Sequence, residues 1–180
     1  MTTEEKVQIR TKLEVSMATL ALQVEGLRED QWHFVPSSGG WSIAQIVEHV
    51  AFIESNIVHL LQDKIQTGAP DPGLPEATDR KEIILMRAVP NRSRKAEMPS
   101  IFEHPKGTAA GAALLDQLQQ ARTETLQFVS DCAVDLRQYG NEHFIFKMLN
   151  GDQWLLLIAL HAERHAAQIA EIKQAPDYTM

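Results

Sequence analysis

Apolar side chains recur at steps of three and four over long stretches of this 180-residue chain, and this spacing most constrains its fold. Residues at such steps lie on one face of a helix, so a long run predicts an amphipathic helix packed against others. The first run covers residues 2–28, where Thr2 and Glu5 have capping-box spacing. Its apolar stripe consists of Ile9, Leu13, Met17, Leu20, Val24 and Leu27.

Three further runs have the same spacing. The second begins at Ser42, which forms a capping box with Gln45, and covers residues 42–68. The third covers residues 109–133, and the fourth covers residues 150–174, with Asn or Asp available as its cap. We find no strand-like alternation of useful length and no internal repeat. Four long helices predict an all-α fold, a four-helix bundle forming a single domain over residues 1–180.

The connection between the second and third helices is long and rich in proline. Residues 67–106 contain six prolines, so most of this stretch is predicted to be ordered loop. A short helix is predicted over residues 79–89, with Asp79 and Glu82 as a capping pair. Residues 28–40 are predicted to be loop as well. A connection as long as 67–106 allows the second and third helices to run parallel.

Charge and composition exclude several classes of partner. The formal net charge is −7 and the basic residues are scattered, so a nucleic-acid partner is not expected. No apolar run approaches the roughly 20 residues needed to cross a bilayer, and the first residues lack the apolar core of a signal peptide. We therefore expect no membrane partner. Cys132 is the only cysteine, which fits a reducing compartment and predicts a cytoplasmic protein.

The segment HAERHAAQI, residues 161–169, places two histidines on the inner face of the last helix. His161 and His165 are one turn apart, so both imidazoles can approach one ion. Buried imidazoles require hydrogen-bond partners or a metal. Glu163 lies about 200° around the helix from His161, which excludes the metalloprotease arrangement in which the glutamate directly follows the first histidine. Glu163 and Arg164 are therefore predicted to be solvated surface residues.

A metal site on these helices needs a third ligand, because catalytic zinc usually has three protein ligands and an open position. His49 is the best candidate, since it lies at the margin of the second helix's apolar stripe. His59 is turned well away from that stripe and is expected to face water. The remaining alternatives lie in predicted loops and are His33, His104 and His143. An interpretation of the histidines as hydrogen-bonded core residues, with no metal, also stays open.

Two further polar residues are candidates for supporting the site or binding a substrate. Arg122 is part of the inner stripe of the third helix, where it needs an acidic or carbonyl partner. An internal ion pair is the favoured interpretation, and binding of an anionic substrate group is the alternative. Gln168 lies one turn beyond His165, so we expect it either to hydrogen-bond near the site or to pack between helices.

Three segments of the chain resemble the DinB-like family. They are GGWSIAQIVEHVAFIE (39–54), EHPKGTAAGAALLDQLQQAR (103–122) and LHAERHAAQIAEI (160–172). They are similar to the start of that family's second helix, to its Pro- and Gly-containing segment before the third helix, and to its final H-x-x-x-H-x-x-Q-I helix. The resemblance implies a four-helix bundle in which His49, His161 and His165 hold a divalent metal. The proline-rich insertion over residues 68–105 departs from the family pattern. It either covers the metal site or packs on the bundle, and the resemblance does not decide between these two placements.

The resemblance also implies a function. DinB-like proteins include metal-dependent thiol S-transferases and proteins described as metal-dependent hydrolases. We therefore expect either thiol transfer or hydrolysis on a small-molecule substrate, and thiol transfer would use a low-molecular-weight thiol. Three imidazoles suit zinc or nickel first, with iron or cobalt as alternatives. Several relatives form dimers, so a homodimer is expected. The alternative function is a non-catalytic, dimeric bundle that binds a metal or another ligand, and no catalytic residue is assigned.

Overall fold

The structure is a computed structural model that describes residues 1–93, 105–109 and 111–178. Its elements are α1 (Thr3–Val24), α2 (Glu29–Trp32), α3 (Ile43–Thr67), α4 (Leu74–Ala77), α5 (Lys81–Ala88), α6 (Ala112–Asp131), a 3-10 turn (Leu136–Gln138), β1 (Gly140–His143), β2 (Lys147–Asn150) and α7 (Gly151–Lys173). The long helices α1, α3, α6 and α7 form the predicted four-helix bundle. Within the described ranges, no helix is long and apolar enough to cross a membrane.

The bundle has an up-down-down-up arrangement of its long helices. Helices α1 and α3 each pack against both α6 and α7. The chain just before α6 contacts the start of α3, where the Gly107 N–H donates to Glu48 Oε2 at 2.6 Å, so α3 and α6 run parallel. Helices α1 and α7 are also parallel, because Lys173 Nζ donates to the Gln23 carbonyl where both helices end. The parallel α3–α6 pair is an arrangement that the length of this connection allows.

Local capping signals determine where the long helices begin. The Thr2 and Ser42 side chains each accept a backbone N–H three residues later, which confirms both predicted capping boxes. Asn150 caps α7 in the same way, with Gln153 as its reciprocal partner. These hydrogen bonds satisfy backbone donors that a helix start leaves without partners. Helix α6 has no such side-chain cap and begins at Ala112, three residues later than predicted.

A small β-hairpin lies between α6 and α7, in a part of the chain whose sequence shows no strand-like alternation of useful length. Strands β1 and β2 pair antiparallel over four residues each. The His143 Nδ1 accepts hydrogen bonds from the backbone N–H groups of Ile145 and Phe146 at the turn. Lys81 Nζ donates to the Phe146 and Met148 carbonyls and ties β2 to α5. Strands this short show no usable alternation, and contacts with distant residues stabilise them.

The proline-rich connection contains more helix than the sequence predicts. Both α4 and α5 lie in it, and α5 begins after Arg80, whose φ of 60° is left-handed. The predicted capping pair of Asp79 and Glu82 is wrong, because Glu82 Oε1 instead accepts from Gln153 Nε2 at 2.9 Å. The predicted loop before α3 likewise contains α2. Residues 94–104, also part of this connection, lie outside the described residues.

A buried polar layer divides the bundle core into two apolar clusters. One cluster surrounds Leu13, Leu61 and Leu155, and the other surrounds Leu20, Ile46 and Ile169. The layer between them consists of Ser16, Glu54, Arg122 and Thr125. Each long helix except α7 contributes to it. The core therefore consists of two apolar clusters with a hydrogen-bonded layer between them.

Arg122 and Glu54 form the centre of this polar layer. The Arg122 Nε and Nη2 atoms donate to the two Glu54 carboxylate oxygens at 2.7 and 2.9 Å. Nη1 donates to the Leu13 carbonyl and to Ser16 Oγ, and Thr125 Oγ1 donates to Glu54 Oε1. Arg122 therefore makes the internal ion pair that the sequence favoured. Its guanidinium is 4% exposed, which leaves it unsuited to binding a substrate.

Candidate metal centre

His49 on α3 and the histidine pair on α7 direct their Nε2 atoms toward one point. The Nε2 atom of His161 lies 3.2 Å from that of His49 and 3.1 Å from that of His165. The ligand nitrogens of all three lie within 4.8 Å of one another. Two nitrogens bound to one tetrahedral zinc, each at about 2.0–2.1 Å, are about 3.3–3.4 Å apart. The observed spacing is close to what one ion requires.

Burial keeps these imidazoles in the form that binds metals. His49 and His165 are each 7% exposed, whereas His161 is partly exposed. Desolvation lowers the pKa of His49 to about 4 and that of His165 to about 3. The pKa of His161 is lowered well below its ordinary value, first by desolvation and then by its two neighbours. All three rings are therefore neutral at pH 7, and neutral imidazole is the metal ligand.

The donor set fits a divalent cation better than it fits an isolated hydrogen-bond cluster. The amide oxygen of Gln168 lies 2.9 Å from His165 Nδ1, so that nitrogen donates and His165 Nε2 presents a lone pair. A hydrogen bond among the three Nε2 atoms satisfies only part of the cluster. A divalent ion accepts all three lone pairs at once. His49, His161 and His165 therefore form a chemically consistent metal-binding set.

Neighbouring side chains hold two of the three rings in place. Trp41 packs edge-on against His49, with ring centroids 4.9 Å apart and an interplanar angle of 62°. Gln168 makes its hydrogen bond to His165 from one turn further along α7. Sequence reasoning left the role of Gln168 open. The structure brings both residues into contact with the histidine cluster.

A groove of about 480 Å³ lies between α3 and α6 and has His49 in its wall. Its charged lining residues are Glu48, Lys106 and Glu124. Glu48 also accepts the hydrogen bond from Gly107 that holds the chain before α6 against α3. Sequence reasoning missed both carboxylates. The position of Glu48 beside His49 in the chain was a usable signal, whereas nothing in the sequence distinguished Glu124.

The other described histidines lie outside the cluster. His33 is exposed at the end of α2. His59 is exposed on α3, which confirms the prediction that it faces water. His143 stacks on Phe144 and supports the hairpin turn through Nδ1. His104 is among the residues outside the described part of the chain. In the described part, His49 is the third imidazole.

Arg164 is not the solvated surface residue that the sequence predicts. Its Nη1 atom donates to the backbone carbonyls of Val89 and Asn91, which ties the end of the α5 region to α7. This partial burial lowers the pKa of the Arg164 guanidinium. Glu163 is partly exposed, and the helical rotation that separates it from the histidines is as expected.

Arg92 makes a second link between the same connection and α7. Its Nε and Nη2 atoms donate to the two Glu171 carboxylate oxygens at 3.1 and 2.7 Å. Its Nη1 atom donates to Gln168 Oε1 at 3.3 Å, the same oxygen that faces His165. Sequence reasoning missed Arg92, because it lies in an irregular segment without periodicity. Through Arg92, the proline-rich connection therefore contacts Gln168, the hydrogen-bond partner of the candidate metal ligand His165.

Together, the fold and the cluster define a four-helix bundle with a three-histidine centre suited to a divalent metal. The family model described as "DinB superfamily" matches residues 13–169, and the chain belongs to this superfamily. A curated relative is the uncharacterized protein YuaE of Bacillus subtilis (strain 168), 22% identical over 152 residues, which cover 84% of this chain and 89% of YuaE.

A solved structure with a similar fold is YfiT from Bacillus subtilis. The two proteins are 19% identical with a TM-score of 0.68, and the match covers 99% of this chain and 91% of YfiT. YfiT is described as "a probable metal-dependent hydrolase with an unusual four-helix bundle topology". At this level of identity, the comparison shows that the two chains share their fold.

Proposed function

We propose that the protein is a metal-dependent enzyme that acts on a small molecule. His49, His161 and His165 hold the divalent ion, with zinc or nickel as the first choice and iron or cobalt as alternatives. The observation that carries this proposal is the convergence of three neutral Nε2 atoms beside the groove between α3 and α6. Hydrolysis is proposed first, because the similarly folded YfiT is described as "a probable metal-dependent hydrolase".

Transfer of a thiol to an electrophile is the second candidate reaction. The same donor set supports it, and the DinB-like resemblance includes S-transferases that use a low-molecular-weight thiol. A divalent ion held by three imidazoles supplies Lewis acidity and makes either water or a thiol easier to deprotonate. The nature of the nucleophile therefore distinguishes the two reactions, and both need a group that accepts a proton.

The residues of the groove are proposed to accept this proton and to hold the substrate. Glu48 is the proposed proton acceptor, because it lies in the groove wall next to His49. Glu124 lies in the wall formed by α6, and Lys106 is exposed at the same groove. These charges favour a polar substrate over an apolar one. Trp41 and Gln168 keep the rings of His49 and His165 in position.

Metal analysis tests the proposed site. Protein prepared without a histidine tag should contain about one divalent ion per chain, because three imidazoles form one site. A His161→Ala, His165→Ala double variant should lose that ion. The matched control is His59→Ala, which removes an exposed histidine from α3. Equal metal content in the double variant and in the unmodified protein would remove the basis for the three-histidine site.

Turnover assays then separate an enzyme from a binding protein. The metal-loaded protein is offered esters and amides in one panel, and low-molecular-weight thiols with electrophiles in the other. Glu48→Gln should lower kcat by roughly 10²–10⁴-fold, as expected for loss of a general base, without changing the metal content. Absence of metal-dependent turnover in both panels would favour the alternative, a non-catalytic dimeric bundle that binds a metal or another ligand.

The proposal includes an assembly and a compartment. We propose a cytoplasmic homodimer, since Cys132 is the only cysteine and DinB-like relatives form dimers. Nucleic acid is excluded as a partner in this proposal, because the formal net charge is −7. Light scattering of the purified protein measures the mass of the assembly directly, and a monomer at micromolar concentration would contradict the dimer.

A further inference from the structure

Arg92 connects the proline-rich segment to the partner of a candidate metal ligand. It lies just after α5, and its side chain is 26% exposed. Two of its nitrogens bind the Glu171 carboxylate, which fixes the plane of the guanidinium. The third nitrogen donates to Gln168 Oε1 at 3.3 Å. That oxygen also lies 2.9 Å from Nδ1 of His165.

The chemistry of these groups fixes where the protons lie. A guanidinium has only donors, so the Gln168 amide must present its oxygen to Arg92 rather than its NH₂ group. An amide oxygen only accepts, so His165 Nδ1 must carry its proton. A neutral imidazole has one N–H, and therefore His165 Nε2 has its lone pair free. Nε2 is the atom that faces the centre of the cluster.

Without Arg92, nothing fixes the orientation of the Gln168 amide, and the position of the His165 proton is no longer determined. A glutamine amide can rotate by 180° and present its NH₂ group to His165 in place of its oxygen. Nδ1 would then accept a hydrogen bond, and the proton would move to Nε2. In that tautomer, His165 presents an N–H to the centre and is not a metal ligand. The orientation of the partly buried Gln168 amide therefore decides whether His165 is ready to bind a metal.

We propose that Arg92 is a positioning residue for the metal centre, which fixes the Gln168 amide and through it the tautomer of His165. The inference rests on the proposed function, in that the centre binds a metal. The tautomer itself is a property of the metal-free chain. Glu171 supports this role by holding the guanidinium from the opposite side.

Nitrogen NMR of the metal-free protein at pH 8 tests the tautomer directly. In the unmodified protein, the His165 proton should be on Nδ1. Arg92→Ala should move a substantial part of the population to Nε2. Adding Gln168→Glu to that variant should restore the Nδ1 proton, because a carboxylate has no donor to present. Arg87→Ala, which removes the same charge from an exposed position on α5, should change nothing.

Metal affinity gives an independent measurement, obtained by competition with a chelator. Arg92→Ala should weaken binding by roughly ten-fold, the usual size of such indirect effects. The Arg92→Ala, Gln168→Glu variant should bind at least as tightly as the unmodified protein, and Arg87→Ala should bind equally well. If Arg92 merely tethers the connection to α7, Gln168→Glu will not rescue affinity, and that result overturns the inference.

The outcomes also separate this inference from the proposed function. An unmodified protein that binds no divalent metal contradicts the proposed function, while the NMR measurement still decides the role of Arg92. Normal metal binding with an unchanged His165 tautomer in Arg92→Ala contradicts only the inference. Circular dichroism verifies folding, and if Arg92→Ala does not fold, Arg92→Met, which also has no hydrogen-bond donor, takes its place in both measurements with the same expected results.

Discussion

The buried pair of Arg122 and Glu54 gives the sharpest prediction about stability. Replacing Arg122 with Met keeps most of the side-chain volume but leaves the Glu54 carboxylate in the core, where it is 1% exposed. The hydroxyl of Thr125 then remains as a hydrogen-bond donor to it. An uncompensated buried charge costs about 3–5 kcal/mol. We expect Arg122→Met to lower the free energy of unfolding by about that amount.

The corresponding change in melting temperature is large enough to measure easily. One kcal/mol corresponds to about 2–4 °C for a domain of 150–250 residues, so Tm should fall by about 6–20 °C. Urea unfolding of metal-free protein, followed by circular dichroism, gives the free energy itself. Using metal-free protein keeps ligand binding out of the comparison.

A double variant decides whether the lost stability comes from the unpaired charge. Glu54→Leu combined with Arg122→Met removes both charges, and apolar replacement of a whole buried pair is often neutral or stabilising. The double variant should therefore be clearly more stable than Arg122→Met. A double variant that is as unstable as the sum of its single changes would refute the reasoning. A loss below about 1 kcal/mol in Arg122→Met would refute it as well, because only an exposed pair contributes so little.

Three further predictions follow from particular residues. Burial raises the pKa of Asp152 to about 6, above the unfolded value of about 3.9, so the free energy of unfolding should fall as pH rises from about 4 to about 6. Asp152→Asn should remove this fall and add about 1–2 kcal/mol to the free energy of unfolding at pH 7. Urea unfolding at several pH values between about 4 and 7 measures both effects, and a flat profile in the unmodified protein would contradict the prediction. Gly107 has a φ of 63°, and a Cβ there would lie 2.5 Å from Gln45 Cγ, so Gly107→Ala should lower the free energy of unfolding by about 1–2 kcal/mol. Thermal melts compare this variant with Gly26→Ala, where φ is 69° and the space around the Cβ is open, so the loss of stability should be smaller. Equal losses of stability in the two variants would exclude the clash. Divalent metal at 100 times its Kd should add about 2.7 kcal/mol of stability to the unmodified protein, and His161→Ala should show no such gain.

The sequence predicts the features of this fold that depend on local spacing. Capping at Thr2, Ser42 and Asn150 involves residues three apart, so each helix start is visible without knowledge of the tertiary structure. The inward pair of His161 and His165 follows from helical geometry in the same way. These contacts are short in sequence, which is why single-chain reasoning reaches them.

Apart from Glu48, the site features that sequence reasoning missed depend on contacts between distant residues. Arg92 meets Gln168 across 76 positions, and Lys81 supports the hairpin across more than 60. Arg92 lies in an irregular segment, and the helix predicted around Lys81 gives no indication of its distant partners. The position of His49 on its helix made it the best of several candidates for the third ligand. The family resemblance was needed to choose it over the others. The groove carboxylate of Glu124 depends on how α6 packs against α3, which no local pattern encodes.

The polar layer in the bundle has a consequence for the axial register of its helices. A helix in a uniformly apolar core can slide along its neighbours by one turn, about 5.4 Å, and meet similar side chains again. The Glu54 carboxylate meets the Arg122 guanidinium at only one axial position, so such a slide of α3 would leave two buried charges unpaired. His49 is on the same helix, only five residues away. The ion pair thus fixes the axial position of His49 relative to α6, which forms the other wall of the groove.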